Sequence, residues 1–399
     1  MQPAALTPGV GTAEGARPPR ALELSSSRLR LRFADAFVPR PWIYWVDLLL
    51  SAGLGWSAFA LAGWTAGAAR LVALGVATLA LYRAVLFIHE LAHLRPGAVP
   101  GFETAWNALV GCPMMAPSLM YVGSHADHHK RSTYGTEGDP EYESIAHWSR
   151  LRIAASTVTM LVVPAALAFR FGVLGPISRA IPPLRRRVVQ SMSTLVINPR
   201  YRRQAPRGRN GRRWALCEAG AALYFWSFGL AIATGRLSPA WAGRWYAVAC
   251  GILVLNHLRT LVAHRYENRG ERMDVISQLV DTVNLRGVAG FTTLTALAAP
   301  VGLRYHGLHH LVPAVPYHSL GWLHRQLLAE LPAASPYRST QEPTLVSALR
   351  KLWERARRNA AAGSGGAGGL ARLSGARAGA EPEAGRATPI ASDAGAAAR

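Results

Sequence analysis

Eight of the chain's 13 histidines fall into three tight groups: His89-Glu-Leu-Ala-His93, His125-Ala-Asp-His128-His129 and His306-Gly-Leu-His309-His310. A neutral imidazole nitrogen is a ligand suited to iron, zinc, copper or nickel. Packing gives little reason to gather so many rings, because each buried ring needs hydrogen-bond partners. The chemistry this pattern points to is metal binding. Eight imidazoles exceed what one ion needs, so two ions bridged by the constellation fit the count, and a redox metal with open positions for oxygen would use them. The i, i+4 spacing of His89 and His93 puts both rings on one face of a helix.

The elements that must position these groups are apolar. The 399 residues are 50% hydrophobic and only 17% charged, against about 25% charged in a soluble domain. Crossing a bilayer takes about 20 mainly apolar residues. Trp42 to Thr65 and Ala68 to Ile88 meet that length as one hairpin, with Trp42, Trp45 and Trp64 placed like interfacial anchors. Trp214 to Thr234 and Trp241 to Val262 make a second hairpin. Three weaker apolar stretches are short or broken by Pro: Ala105 to Val122, Ile153 to Ile181 and Gly287 to Leu303. The expected fold is therefore an all-α integral membrane protein with four transmembrane helices in two hairpins. A cytoplasmic, histidine-rich cap and interfacial helices complete it.

Charge orients this arrangement. The net charge is +22, and ten arginines lie between Arg185 and Arg213, a loop that the positive-inside rule places in the cytoplasm. An even number of crossings must precede it, so Ile153 to Ile181 should be interfacial or re-entrant. Only 31 residues lie between His93 and His125, too few for two crossings, so the first two groups share a face. The second hairpin returns the third group to that face, provided Gly287 to Leu303 does not cross.

Residues 1–40 lack a secretory signal pattern and read as a disordered cytoplasmic arm, and residues 359–399 as a disordered Ala/Gly/Arg-rich tail. The folded domain is then 41–358. Cys112, Cys217 and Cys250 form no CxxC pair, which leaves them as packing residues. Lys130 and Lys351 are the only lysines. A GC-rich coding sequence explains that bias, and no nucleic-acid partner is expected.

HELAH, HADHH and HGLHH, in this order around two hairpins, resemble the three histidine boxes of the membrane-bound fatty acid desaturase superfamily. The segment Thr136-Glu-Gly-Asp139-Pro140-Glu141 is similar to one that many bacterial members carry after the second box. So is His310-Leu-Val-Pro313-Ala-Val-Pro316-Tyr317-His318-Ser-Leu320 after the third. The resemblance spans about residues 40 to 335. It implies a cytoplasm-facing non-haem di-iron centre with two iron ions and O2 as co-substrate, in the bacterial inner (cytoplasmic) membrane. The implied ligands are His89, His93, His125, His128, His129, His306, His309 and His310. Family centres often add one histidine from the span before the third box. His264 is the candidate here, with His257 the less favoured choice.

No catalytic residue beyond the ligands is expected. Glu90, Asp127, Asp139 and Glu141 could orient ligand imidazoles by accepting their second N–H, although a solvated loop carboxylate is an equal reading of Glu141. Asp47 and Arg83, inside spans, would be paired, functional or snorkelling. His147, His318 and His324 lie outside the boxes and read as structural or surface residues.

The resemblance implies oxygen-dependent desaturation of a fatty acyl lipid. The alternative is a di-iron hydroxylase or ketolase acting on another lipid, since the boxes do not separate these activities. More remote are a zinc protease built on the HExxH of HELAH, which leaves the other boxes unexplained, and a metal transporter. The chain carries no haem, flavin or iron–sulfur motif, so electrons must come from a separate donor, such as an acidic ferredoxin-like carrier steered to the arginine-rich loop. Those arginines could instead bind anionic lipid head groups.

Overall fold

A computed structural model describes residues 25–195, 197–287 and 292–373, with side chains to residue 359. Proline at the first helical position presets the backbone for the helix Pro41–Trp64. A break at Thr65 and Ala66 leads into the helix Gly67–His93. The two pack side by side, and Gly55 allows the approach: a Cβ there would lie 2.6 Å from Leu81 Cγ. The second hairpin is Gly208–Ala233 and Ala240–Thr260.

Among the described residues, Pro41–Trp64, Gly67–His93 and Gly208–Ala233 are long and apolar enough to cross a membrane. Ala240–Thr260, expected as the fourth span, falls short because Arg244, Asn256, His257 and Arg259 interrupt it. A fourth candidate comes instead from the stretch expected to be interfacial or re-entrant. Arg150–Thr159 and Val163–Ser178, bent by 42° at a short break, together qualify as a broken span or a re-entrant loop. Exposed Leu50, Leu54, Leu71, Leu216, Leu223 and Leu230 on the long helices form apolar surface that lipid, not water, would cover. The described part of 287–303 holds the helix Thr292–Ala298, seven residues long and too short to cross.

Asp47 and Arg83 pair with each other across the first hairpin, Arg83 Nε donating to Asp47 Oδ1 at 2.7 Å, and the Tyr317 hydroxyl donates to Asp47 at 2.8 Å. The chain beyond the third box is thereby fastened to the membrane helices. Glu218, buried on the third long helix, is held by Arg170 at 2.5 Å and Arg185 at 2.8 Å.

The disordered-arm expectation is corrected for residues 25–40. Ser25 caps the helix Ser26–Arg32, a 3-10 turn follows at Ala34–Phe37, and Arg32 pairs with Glu330 at 3.0 Å. Leu29, Phe33 and Phe37 are buried against Leu308, Leu323 and Leu327. A Leu/Phe repeat at helical spacing was therefore hidden among Arg and Ser residues. The C-terminal helix, Leu345–Leu373, likewise runs past residue 358 into the expected tail. The disorder readings of 1–24 and 374–399 lie outside the described residues.

Leu29→Ala should destabilise the protein by about 3 kcal/mol, the usual cost of truncating a buried leucine, in detergent-solubilised unfolding. Leu31→Ala, at an 84% exposed neighbour, should have little effect. Equal, negligible changes would mean that the arm does not pack.

Candidate metal centre

All nine histidines expected as ligands converge, and they divide into two groups. His89, His93, His125, His129 and His309 form one, and His128, His264, His306 and His310 the other. Within each group the prospective ligand atoms lie within 4.8 Å of one another. Nε2 of His129 is 3.1 Å from Nε2 of His125 and 3.0 Å from that of His309. Nε2 of His306 is 2.9 Å from that of His264 and 3.1 Å from that of His310.

Helical pitch explains the division. In the short helix Ser124–His128 and its cap His129, residues 125 and 129 stand four apart and share a face, whereas 128 is rotated by about 100°. In His306–Leu311 residues 306 and 310 share a face and 309 turns away. Each HxxHH therefore sends its outer pair to one group and its middle histidine to the other. His89 and His93 project together from the end of Gly67–His93.

His264 sits past the end of its helix, which stops at Thr260, and is held by an antiparallel bridge to Thr282. The third box rests on the same segment. Asn284 Oδ1 accepts from the Leu308 N–H at 3.1 Å, and Gly307 lies so close that a Cβ would be 2.8 Å from Asn284 Nδ2. A parallel pairing of Asn284–Leu285 with Gln341–Glu342 fixes this strand.

The second ring nitrogen is committed elsewhere. Nδ1 of His125 is 2.7 Å from Glu141 and Nδ1 of His128 is 2.8 Å from Asp139. Tyr134 donates to Asp281 at 2.7 Å, so its oxygen is free to accept from His264 Nδ1, also at 2.7 Å. Carboxylates that accept Nδ1–H leave Nε2 unprotonated and able to bind metal. Burial, reinforced by neighbouring rings, holds His125, His129, His306, His309 and His310 well below the usual imidazole pKa. Burial opposes charge on His128 too, but Asp139 outweighs it and raises that pKa. The same carboxylate field would favour a metal cation in place of the proton. Burial pushes Glu141 up to about 7, against the pull of His128.

Both ring nitrogens of His89 and Nε2 of His93 are buried with no hydrogen-bond partner, as are Nδ1 of His306 and of His309. A metal ion in the first group would give His89 and His93 the partner their buried nitrogens lack. Nδ1 of His306 and of His309 would stay unpartnered with a metal on Nε2. All donors are nitrogen, with no thiolate in either group, which suits iron better than a structural zinc cage.

Asp139 and Glu141 thus contact imidazoles, but Glu90 and Asp127 do not. Glu90 accepts from Tyr44 and from the Tyr317 N–H, and Asp127 engages Lys130 and Tyr201. His257 bonds Ser156 and stays outside both groups. His147, His318 and His324 meet the Glu267 carbonyl, the Arg40 N–H and the Tyr337 hydroxyl. Sequence reasoning missed Asp281, Tyr134, Tyr121, which donates to Glu141 at 2.9 Å, and Tyr142, which donates to Asp281 at 3.1 Å.

The fatty acid desaturase family model matches residues 62–341, a stretch that holds all nine histidines. Over 326 residues the chain is 39% identical to a ceramide hydroxylase of Caulobacter vibrioides (strain NA1000 / CB15N), covering 81% of this chain and 91% of that protein. No solved structure matches the chain.

Tyr134→Phe removes the hydroxyl that bridges His264 and Asp281 and leaves only their direct approach at 3.5 Å. Metal affinity of the second group should fall about 10–100-fold while the first group is unchanged. Competition with a chelator, followed by metal analysis, reads both. Loss of both ions together, or of neither, would contradict this division of labour.

Proposed function

The chain belongs to the fatty acid desaturase family, and on that premise we propose that it is a membrane-bound di-iron hydroxylase of a ceramide-type lipid. The observation that carries the reading is the double histidine cradle, with its bare Nε2 atoms and orphaned nitrogens at His89 and His93. Bound iron would supply oxygen activation: with two electrons and two protons, one atom of O2 enters a C–H bond as hydroxyl and the other leaves as water.

The protein's own contribution is positional. His89, His93, His125, His129 and His309 would hold one ion and His128, His264, His306 and His310 the other. Asp139, Glu141 and the Tyr134–Asp281 pair keep three of those rings in the ligating tautomer. An oxidoreductase of this family acting on lipid is common ground for desaturation and hydroxylation. Desaturation of a fatty acyl chain, the first expectation from the sequence, has family-level support alone, whereas the hydroxylase named among the relatives favours oxygen insertion. Both bonds accepted by Glu90 come from Tyr44 and Tyr317, which counts against its use as a protease base.

The apolar helices make this an integral membrane protein. An even number of crossings, with the bent pair re-entrant and Ala240–Thr260 as the fourth, would set all three boxes and the arginine-rich loop on the cytoplasmic side of a bacterial inner membrane; Tyr201 and Arg203 of that loop bond Asp127 and the Leu119 and Val122 carbonyls beside the second box. A separate carrier would deliver the electrons there. Several loop arginines are unsuited to docking it. Arg203 donates to the carbonyls of Leu119, Ser193 and Val122, Arg185 serves Glu218, and Arg213 pairs with Glu103. Arg186, Arg187, Arg209 and Arg212 are exposed and remain for an acidic ferredoxin-like partner.

Ceramide-type lipid from a host expressing the chain under labelled dioxygen should gain one labelled oxygen atom. A product lacking two hydrogens and carrying no label would restore the desaturase reading. Charge reversal at Arg209 and Arg212 should slow turnover several-fold at limiting ferredoxin and low salt without changing iron content. Unchanged donor dependence would assign these arginines to anionic lipid.

A further inference from the structure

A cavity of about 120 Å³ opens beside the first histidine group, and its wall includes Arg30, Tyr44, Glu90, His93, Arg95 and Val315. It is roofed by the N-terminal arm and by the turn after the third box. A larger cavity, about 620 Å³, lies among the long helices between Trp56, Phe225 and Trp245. Its lining is apolar and contains none of the nine histidines. The space that touches the metal cradle is thus small, with a mainly apolar wall in which Arg30, Glu90, His93 and Arg95 are ionisable; it has room for a head group and not for the length of an acyl chain.

Glu90 is the unusual group in that wall. Its side chain is only 4% exposed, and both hydrogen bonds it accepts, from Tyr44 at 2.6 Å and the Tyr317 N–H at 3.1 Å, end on Oε2. Its Oε1, with no donor among the described residues, belongs to a side chain that lines the cavity and is the atom a seated donor would meet. Arg30 and Arg95, both exposed, enter no ion pair among the described residues. Arg30 rests on the Phe37 ring, 5.4 Å from its centroid. Acceptor and donors therefore face one small space.

We propose that this cavity seats the polar head of the lipid substrate, with Glu90 accepting from a head-group O–H or N–H and Arg30 and Arg95 donating to its carbonyl or hydroxyl oxygens. The assignment rests on the ceramide-hydroxylase reading and deepens it. An amide with neighbouring hydroxyls carries both kinds of group. A phosphate head would be drawn to the arginines but set against the buried Glu90 carboxylate. Because His93 belongs both to this wall and to the first histidine group, a seated head holds its neighbouring carbons, and not the middle of the chain, against the metal. Glu90 is on this account a specificity-determining residue, which explains why the glutamate of HELAH bonds Tyr44 and Tyr317 and no ligand imidazole.

The full-length protein in lipid nanodiscs, kept without reductant so that no turnover occurs, tests this with fluorescent ceramide, its N- and O-methylated counterpart and ceramide phosphate. Wild type should bind ceramide at least ten-fold more tightly than either analogue, and Glu90→Gln should lose most of that preference. Ala314→Trp, at an exposed wall position remote from the Glu90 hydrogen bonds, should weaken ceramide binding about ten-fold with metal content unchanged. Equal affinity of wild type for capped and uncapped ceramide, or undiminished binding by Ala314→Trp, overturns the head-group seat. Selective binding without any hydroxylated product would overturn the activity and leave the seat standing. Hydroxylation of ceramide and its capped analogue at equal KM would do the reverse.

Discussion

An imidazole can bind a metal only through a nitrogen that carries no proton, and an acceptor for the proton on its other nitrogen fixes which one that is. Much of the structure around His125, His128 and His264 follows from that constraint. Asp139 can accept from His128 because it is itself fixed by the N–H groups of Gly135 and Glu141, at 2.8 and 2.9 Å. Asn198 then ties down the same turn by donating to the carbonyls of Glu137 and Asp139. Asp281 reaches His264 through Tyr134 and is steadied by Tyr142. Carboxylates that read as loop charge thus sit behind the candidate ligand rings, buried where an unpaired charge would be costly.

The second organising fact is the angular step of the helix. Two HxxHH segments, each on barely more than one turn, face each other so that each contributes two rings to one group and one to the other. Two neighbouring sites are produced without any segment having to span both by itself. The first long helix pair supplies the rigid floor. Its Asp47–Arg83 pair, joined by Tyr317, connects that floor to the chain that leaves the third box. The proposed hydroxylation would draw on this support, because the reacting carbon would have to be held in register with the metal.

Much of the centre was legible in the sequence. Clustered histidines, the i, i+4 pair at the end of an apolar run, and helices long enough to cross a membrane are properties of contiguous residues. Composition and period reveal them directly, and the helix ends fall within a few residues of where apolar character fades. His264 was reached through the family resemblance, with its place near the end of an apolar run choosing it over His257.

What only the tertiary structure decided are relations between distant positions. Tyr134 and Asp281 lie 147 residues apart, the strand Asn284–Leu285 pairs with Gln341–Glu342, and Leu29 is buried against the helix Tyr317–Glu330. The first two have no local signature, since a two-residue strand has no period and a tyrosine hydroxyl has no preferred partner in sequence; the Leu/Phe repeat around Leu29 marks a helix but not what it packs against. The side on which the arginine-rich loop lies belongs here too: Tyr201 and Arg203 bond Asp127 and the Leu119 and Val122 carbonyls, which sets the loop beside the second box. Local composition determines which residues can bind metal or face lipid, because those are properties of single side chains and single turns. Which nitrogen is left bare, and which carboxylate takes the proton, is set by packing alone.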